Sequence, residues 1–157
     1  MIKTEAIILK SADANEVDRL LTVYSKNLGK INISAKGVKK IESKLRYSIE
    51  SISYTQMILV EGKNNLILKD ALIKDQFLKI KNDLGKLKIA RKLADLINEA
   101  IAGQEEDSNI WHLILFTFKN LNENKIFLKS AILDFQKNLI RLLGYDPEAI
   151  KNLKDIY

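Results

Sequence analysis

The side chains that most often perform catalysis or bind metals are scarce in this sequence. It contains one histidine, His112, and no cysteine, whereas transition-metal sites need several such ligands. No G-x-S-x-G nucleophile elbow occurs, and Gly29-Lys30 lacks the earlier glycine of a phosphate-binding loop. Asp13, Glu16 and Asp18 offer oxygen ligands for a hard cation, but their polar surroundings favour a solvated turn. We therefore predict a protein that is not an enzyme and that holds no metal or cofactor.

Positive charge is concentrated in one stretch of the chain. Between Lys26 and Arg46 there are seven basic residues and one acidic residue, so this stretch carries a net charge of +6, equal to that of the whole chain. A clustered positive field raises the local concentration of anions. Six of the seven basic residues are lysines, which bind phosphates as point charges rather than distinguish bases through paired hydrogen bonds. The stretch predicts a surface for the nucleic-acid backbone, with little sequence preference.

The pattern of apolar residues places these charges on a strand and the loop that follows it. Ile31, Ile33 and Ala35 alternate with polar residues over 30–36, and Gly37 then breaks the strand. Four further strands are predicted at 4–10, 18–25, 52–60 and 66–73. Five strands joined mostly by hairpins suit a small barrel, and the oligonucleotide-binding (OB) type is the leading candidate, with an SH3-like barrel left open. Single-stranded nucleic acid binds to a sheet face and adjoining loops in OB barrels.

The second half of the sequence changes to the period of helices. From residue 75 onward apolar residues recur about every 3.6 positions. We predict a short helix near 77–84, a second that ends before Gly103, a third capped by Asp107 or Ser108, and a fourth capped by Asn124. A last short helix is predicted from Asp146 and Pro147. Seven residues should face inward from the fourth helix: Leu128, Ala131, Ile132, Phe135, Leu139, Leu142 and Leu143.

The predicted class is therefore α+β, with an OB-type barrel over 1–75 that binds nucleic acid and a helical domain over 76–157 that binds partners. The apolar run at the N-terminus is too short for a signal peptide. The longest apolar window, 110–118, is far shorter than the ~20 residues that cross a bilayer. We expect a cytoplasmic protein without membrane contacts.

Three segments resemble the bacterial recombination mediator family RecO. The first runs from Asn15 through Arg19 and Tyr24 to Lys30 and is similar to the family's "ExDr…tlfT…GK" opening. The second, 35–46 (AKGVKKIESKLR), is similar to its "AKGar…Sklrg" segment. The third, 135–147 (FQKNLIRLLGYDP), is similar to its "F…LL..lGY.P" helix and turn. Together they span the chain from near its start to Pro147.

The resemblance implies an OB barrel followed by a helical domain, and a role in recombinational DNA repair. It implies binding to single- and double-stranded DNA, annealing of complementary strands, and association with the nucleoid. It also implies partnership with RecR and with the C-terminal tail of single-stranded-DNA-binding protein (SSB) in loading RecA. The residues that we predict to bind DNA are Lys26, Lys30, Lys36, Lys39, Lys40, Lys44, Arg46 and Arg19.

The sequence departs from the family pattern in two places. Residues 49–52 lack the proline and aromatic residue that usually precede the fourth strand. The family usually continues past the "GY.P" turn through a cysteine cluster that can hold zinc, whereas this sequence has no cysteine and its last residue is Tyr157. We therefore expect a short form without zinc.

Two other functions fit parts of the sequence. A small RNA- or ribosome-associated barrel would use the same basic face. A protein-interaction adaptor would use the helical half, with a groove around Trp111, Phe118, Phe127 and Phe135. Each of these aromatic residues, taken singly, is more typical of a core.

Overall fold

The computed structural model describes residues 1–40, 45 and 48–145 of the chain. These residues belong to two compact units. One unit consists of Met1–Gln76 together with Ala102–Glu106, and the other consists of Phe77–Ile101 together with the residues from Asp107 onward.

The first unit is a closed barrel of five strands. The strands are β1 (Ile2–Asp13), β2 (Arg19–Ser25), β3 (Gly29–Ala35), β4 (Ser53–Glu61) and β5 (Leu66–Asp75). They are hydrogen-bonded in the order β1-β2-β3-β5-β4, and β4 pairs with β1 to complete the barrel. All pairs are antiparallel except β3 and β5, which run parallel at Ile33–Leu66 and Ser34–Ile67. The predicted α+β class with a five-stranded OB-type barrel is confirmed.

Buried and more exposed residues alternate along β3, as its sequence predicts. Ile31, Ile33 and Ala35 point into the barrel, while Asn32 is exposed on the outer face. Burying apolar side chains on one face of each strand stabilises the barrel by about 25 cal/mol per Å² of apolar surface removed from water. The buried members of this core are Ala6, Ile8, Leu21, Val23, Ile31, Ile33, Ala35, Val38, Ile49, Met57, Leu59 and Leu68.

Strand β1 is longer than the predicted 4–10. Polar residues at both of its ends take part in the ladders, because Lys3 pairs with Ile58 of β4 and Asp13 pairs with Arg19 of β2. The register of β1 with β2 shifts between Ile8 and Lys10, which marks a bulge. The predicted end of this strand at Lys10 was wrong because turn-favouring side chains are also accommodated at the exposed end of a paired strand.

The second unit contains four helices among its described residues. They are α1 (Leu78–Lys81), α2 (Leu84–Ala100), α3 (Ser108–Asn122) and α4 (Ala131–Leu142). Asp83 caps α2 by accepting a hydrogen bond from the Lys86 amide, and Asp107 caps α3 by accepting from the amides of Asn109 and Ile110. None of these helices is long and apolar enough to cross a membrane.

Asn124 ends α3 and does not begin α4, contrary to the prediction. Its φ is +59°, in the left-handed region. The amide of Lys125 donates to the Asn120 carbonyl, and the amide of Asn124 donates to the Leu121 carbonyl. This pair of bonds is a Schellman motif, in which asparagine replaces the usual glycine. The sequence alone did not distinguish the two ends of a helix because asparagine is favoured at both.

The inner face of α4 is narrower than predicted. Ala131, Phe135 and Leu139 are buried, and Ile132 is partly buried. The other three residues expected to face inward, Leu128, Leu142 and Leu143, are exposed by 38–39%. The helix predicted from Asp146 lies outside the described residues.

The barrel unit includes the distant segment Ala102–Glu106. Its backbone passes directly over Gly29, at the turn between β2 and β3. A Cβ atom built on Gly29 would lie 2.4 Å from the carbonyl oxygen of Glu105, and the φ of Gly29 is +69°. Glycine is therefore required here both for the backbone conformation and for the close approach of the returning chain.

Candidate nucleic-acid interface

Two loops meet at one end of the barrel. One is the short connection between β1 and β2, residues 14–18, and the other is the first part of the connection between β3 and β4. They meet there because Arg19 at the start of β2 pairs with both Asp13 at the end of β1 and Ala35 at the end of β3. The amide of Lys39 donates to the Val17 carbonyl over 3.0 Å, which joins the loops through their backbones. We call this meeting of residues 14–18 with residues 36–40 the loop junction.

Asp18 is the side chain that fixes this junction. Its Oδ1 accepts a hydrogen bond of 2.6 Å from the amide of Gly37, and its Oδ2 accepts one of 2.9 Å from the side-chain amide of Asn15. Asn15 in turn accepts hydrogen bonds from the amides of Val17 and Asp18. The carboxylate of Asp18 therefore sets the position at which the loop after β3 leaves the barrel.

The loop after β3 is also anchored by apolar side chains. Val38 and Ile49 are each 2% exposed and belong to the barrel core, and Leu45 packs against that core. Because these residues point inward, Lys36 and Lys40 remain exposed on the outside of the loop. In the sequence KGVKK, the buried Val38 therefore stands midway between the two exposed lysines.

The predicted DNA-binding residues fall into three groups in the structure. Arg19, Lys36, Lys39 and Lys40 come together at the loop junction. Lys30 lies on β3 opposite Tyr24. Lys26 lies in the turn just before β3, at the end of that strand away from the loop junction, and its Nζ is 3.9 Å from the carboxylate of Glu5. Lys44 and Arg46 lie outside the described residues.

The net charge of residues 26–46 does not include the acidic side chains that the end of β1 and the β1–β2 connection bring beside the basic residues. Asp13 lies 3.1 Å from Arg19 and 3.2 Å from Lys39. A charge count over residues 26–46 includes neither Asp13 nor Arg19. The sequence predicts only a solvated turn for Asp13 and Asp18. A hairpin pairing of residues 13 and 19 across the short loop was the signal available for placing Asp13 beside Arg19.

The pKa of Asp18 lies below its ordinary value. The largest cause is the hydrogen bond from the Gly37 amide, followed by the one from Asn15, and the charges of Lys36 and Lys40 act in the same direction. The ionised form is thus the form that the folded junction stabilises.

We expect this carboxylate to make the stability of the protein depend on pH. Because the pKa of Asp18 is lower in the folded than in the unfolded state, its contribution is complete above about pH 4, the ordinary pKa of aspartate, and is lost as the pH falls through the folded value. Chemical unfolding of wild type and of Asp18→Asn should therefore show the wild type as the more stable protein near neutral pH. The difference should shrink towards zero in acid.

Both proteins retain Glu5, whose pKa is also lowered, mainly by its hydrogen bond with Lys74, so its acid titration cancels in the comparison. A difference that stayed constant between neutral and acidic pH would show that the Asp18 charge does not support the junction.

Comparisons with known proteins agree with the geometry. A family model described as "Recombination protein O N terminal" matches residues 1–77. The chain is 29% identical to a DNA repair protein RecO of Acetivibrio thermocellus, over 93% of this chain and 58% of that protein. It is 30% identical to one of Roseiflexus, over 93% and 51%, and 33% identical to one of Desulforamulus reducens, over 93% and 56%. The chain thus spans little more than half the length of these three relatives.

Proposed function

Because the chain belongs to the RecO family, as its motifs predicted, we propose that it acts in recombinational DNA repair as a non-catalytic protein that binds DNA. In this proposal it binds single and double strands and anneals complementary strands in the cytoplasm, at the nucleoid. Together with RecR it helps to load RecA onto strands coated with SSB.

The observation that supports DNA binding most directly is the grouping of Arg19, Lys36, Lys39 and Lys40 at the loop junction. In the OB fold, oligonucleotides bind to the face of strands 2 and 3 and to the loops between strands 1 and 2 and between strands 4 and 5. The first of these loops is one of the two that form the loop junction. Three of the four cations are lysines, which favour phosphate contacts over recognition of base edges. Binding should accordingly depend on charge and little on sequence.

The salt dependence of binding tests this proposal. If about five phosphates are neutralised on a single strand, the logarithm of the binding constant should fall with a slope near −3.5 against the logarithm of salt concentration. Raising salt from ~50 to ~200 mM should then weaken binding on the order of 10²-fold. Fluorescence anisotropy of a labelled oligothymidylate measures this slope, and a flat response would rule out a phosphate-binding surface.

The same titration separates DNA from RNA as the substrate. A matched RNA oligomer and an assay for annealing of complementary DNA strands should be run beside it. Tighter binding of DNA with accelerated annealing supports a recombination mediator. Equal or tighter binding of RNA without annealing would instead support an RNA-associated barrel.

For the helical unit we propose binding of the acidic and hydrophobic tail of SSB. Of the four aromatic residues named from the sequence, Trp111, Phe118 and Phe135 are buried in the core, while Phe127 is 85% exposed. Phe116 is exposed by 62%, so α3 also offers an aromatic side chain on its outer face. Titration of the tail peptide tests this part of the proposal, and absence of binding would contradict it.

A further inference from the structure

The carboxylate of Asp13 lies between two of the cations at the loop junction. Its Oδ1 is 3.1 Å from Nη1 of Arg19, and its Oδ2 is 3.2 Å from Nζ of Lys39. The carboxylate thus bridges a guanidinium and an ammonium group. Guanidinium and ammonium groups bind a phosphate through the same charge-assisted hydrogen bonds, so the two anions compete for the same donors.

The two cations are held in place by groups other than Asp13. Nε of Arg19 donates to the hydroxyl of Ser11 over 2.8 Å, and its Nη2 donates to the Ser11 carbonyl over 2.9 Å. Nζ of Lys39 donates to the Asn15 carbonyl over 3.3 Å. Because these partners are uncharged, they orient the cations without neutralising them. Removing the carboxylate would leave both cations oriented and available to another anion.

Asp13 is the most exposed member of the trio. Its side chain is 61% exposed, against 32% for Arg19 and 28% for Lys39. Ion pairs in contact with water contribute little to stability. An anion that arrives from solution therefore reaches the carboxylate side of the site first and displaces Asp13 at low cost.

We propose that Arg19 and Lys39 form a binding site for one phosphodiester group, and that Asp13 occupies this site while the protein is free of nucleic acid. The proposal rests on the DNA-binding function proposed above and refines it, because it makes Asp13 a residue that lowers affinity. A strand that binds must exchange its phosphate for the carboxylate. The negative charge of Asp13 then remains beside the bound phosphate and weakens the complex.

The variant Asp13→Asn tests the proposal. Asparagine has the same shape and its amide oxygen can still accept a hydrogen bond from Arg19, so the end of β1 keeps its structure. Single-stranded DNA should bind roughly fivefold more tightly at low salt, which is the effect of removing one like charge about 4 Å from a phosphate in water. The salt slope should become steeper by about 0.7, because without the carboxylate the two cations neutralise the bound phosphate more fully and the effective number of neutralised phosphates rises by one.

Asp70→Asn is the matched control, because it raises the net charge by the same amount. Asp70 is exposed on β5, where it accepts a hydrogen bond from the amide of Ala71, as asparagine also can. Its substitution should leave affinity and salt slope near the wild-type values. Equal gains in the two variants would overturn the proposal, since net charge alone would then explain them.

A double variant shows whether Asp13 acts through Lys39. The gain from Asp13→Asn should largely disappear in a Lys39→Gln background, in which half of the phosphate site is missing. An undiminished gain would overturn the proposed site. If the wild type binds with the expected salt slope but Asp13→Asn gives no gain, the inference fails and the DNA-binding function stands. If neither the wild type nor any variant binds DNA, the inference and the proposed DNA-binding function both fail.

Discussion

Replacing Lys36, Lys40 and Lys44 together by glutamate should reduce the affinity for single-stranded DNA on the order of 10²- to 10³-fold at low salt. The first two side chains are exposed at the loop junction, and Lys44 follows in the same basic segment of the sequence, outside the described residues. Each substitution removes a phosphate contact and adds a repulsive charge. Lys39 is left unchanged because its backbone and side chain both join the two loops.

A second triple variant controls for net charge. Lys3, Lys69 and Lys88 are exposed and lie outside the loop junction, on β1, β5 and α2. Their replacement by glutamate changes the net charge of the chain equally and should weaken binding much less. Anisotropy titrations give the affinities, and circular dichroism shows whether each variant is folded. Unchanged binding by the loop variant, or an equal loss in the control, would place the interface elsewhere.

Gly29→Ala should destabilise the barrel by about 2 kcal/mol or more. An alanine in the left-handed region costs roughly 1–2 kcal/mol. The new methyl group would also lie 2.4 Å from the Glu105 carbonyl oxygen, so the segment Ala102–Glu106 must move away or the turn must distort. Unfolding in urea, followed by circular dichroism, measures the change in the free energy of unfolding.

Gly37→Ala separates the two contributions. Gly37 has a φ of +65°, close to that of Gly29, but the nearest atoms to its added Cβ are those of the Lys40 side chain, at 3.8 Å. It should therefore show the cost of the backbone conformation without the collision. If both variants lost the same stability, the approach of Glu105 to Gly29 would contribute nothing.

The sequence predicted those features that depend on local patterns. Alternation placed Ile31 and Ile33 inside the barrel because a strand with one buried face has a period of two residues. The burial of Val38 follows the same logic in the loop after Gly37. The predicted ends of all five strands lie within a few residues of the observed ends.

Features that depend on contacts between distant residues were not predictable in this way. Closure of the barrel requires β3 and β5 to pair in parallel, and no local pattern specifies that register. The position of Asp13 between Arg19 and Lys39 depends on two separate strand pairings. Asn124 was assigned to the wrong helix because its preference for helix ends is local, whereas the choice of end depends on neighbouring turns.

The return of Ala102–Glu106 to the barrel has a consequence for synthesis on the ribosome. The match to the family model ends at residue 77, and the last strand of the barrel ends at Asp75. The barrel unit nevertheless includes residues up to Glu106. Its five strands can pair as soon as β5 has emerged, but the turn at Gly29 receives its covering segment only after all of α2 has been translated. A nascent chain halted when residues 1–77, but not Ala102–Glu106, have emerged from the ribosome should therefore carry a barrel that is closed but more easily unfolded.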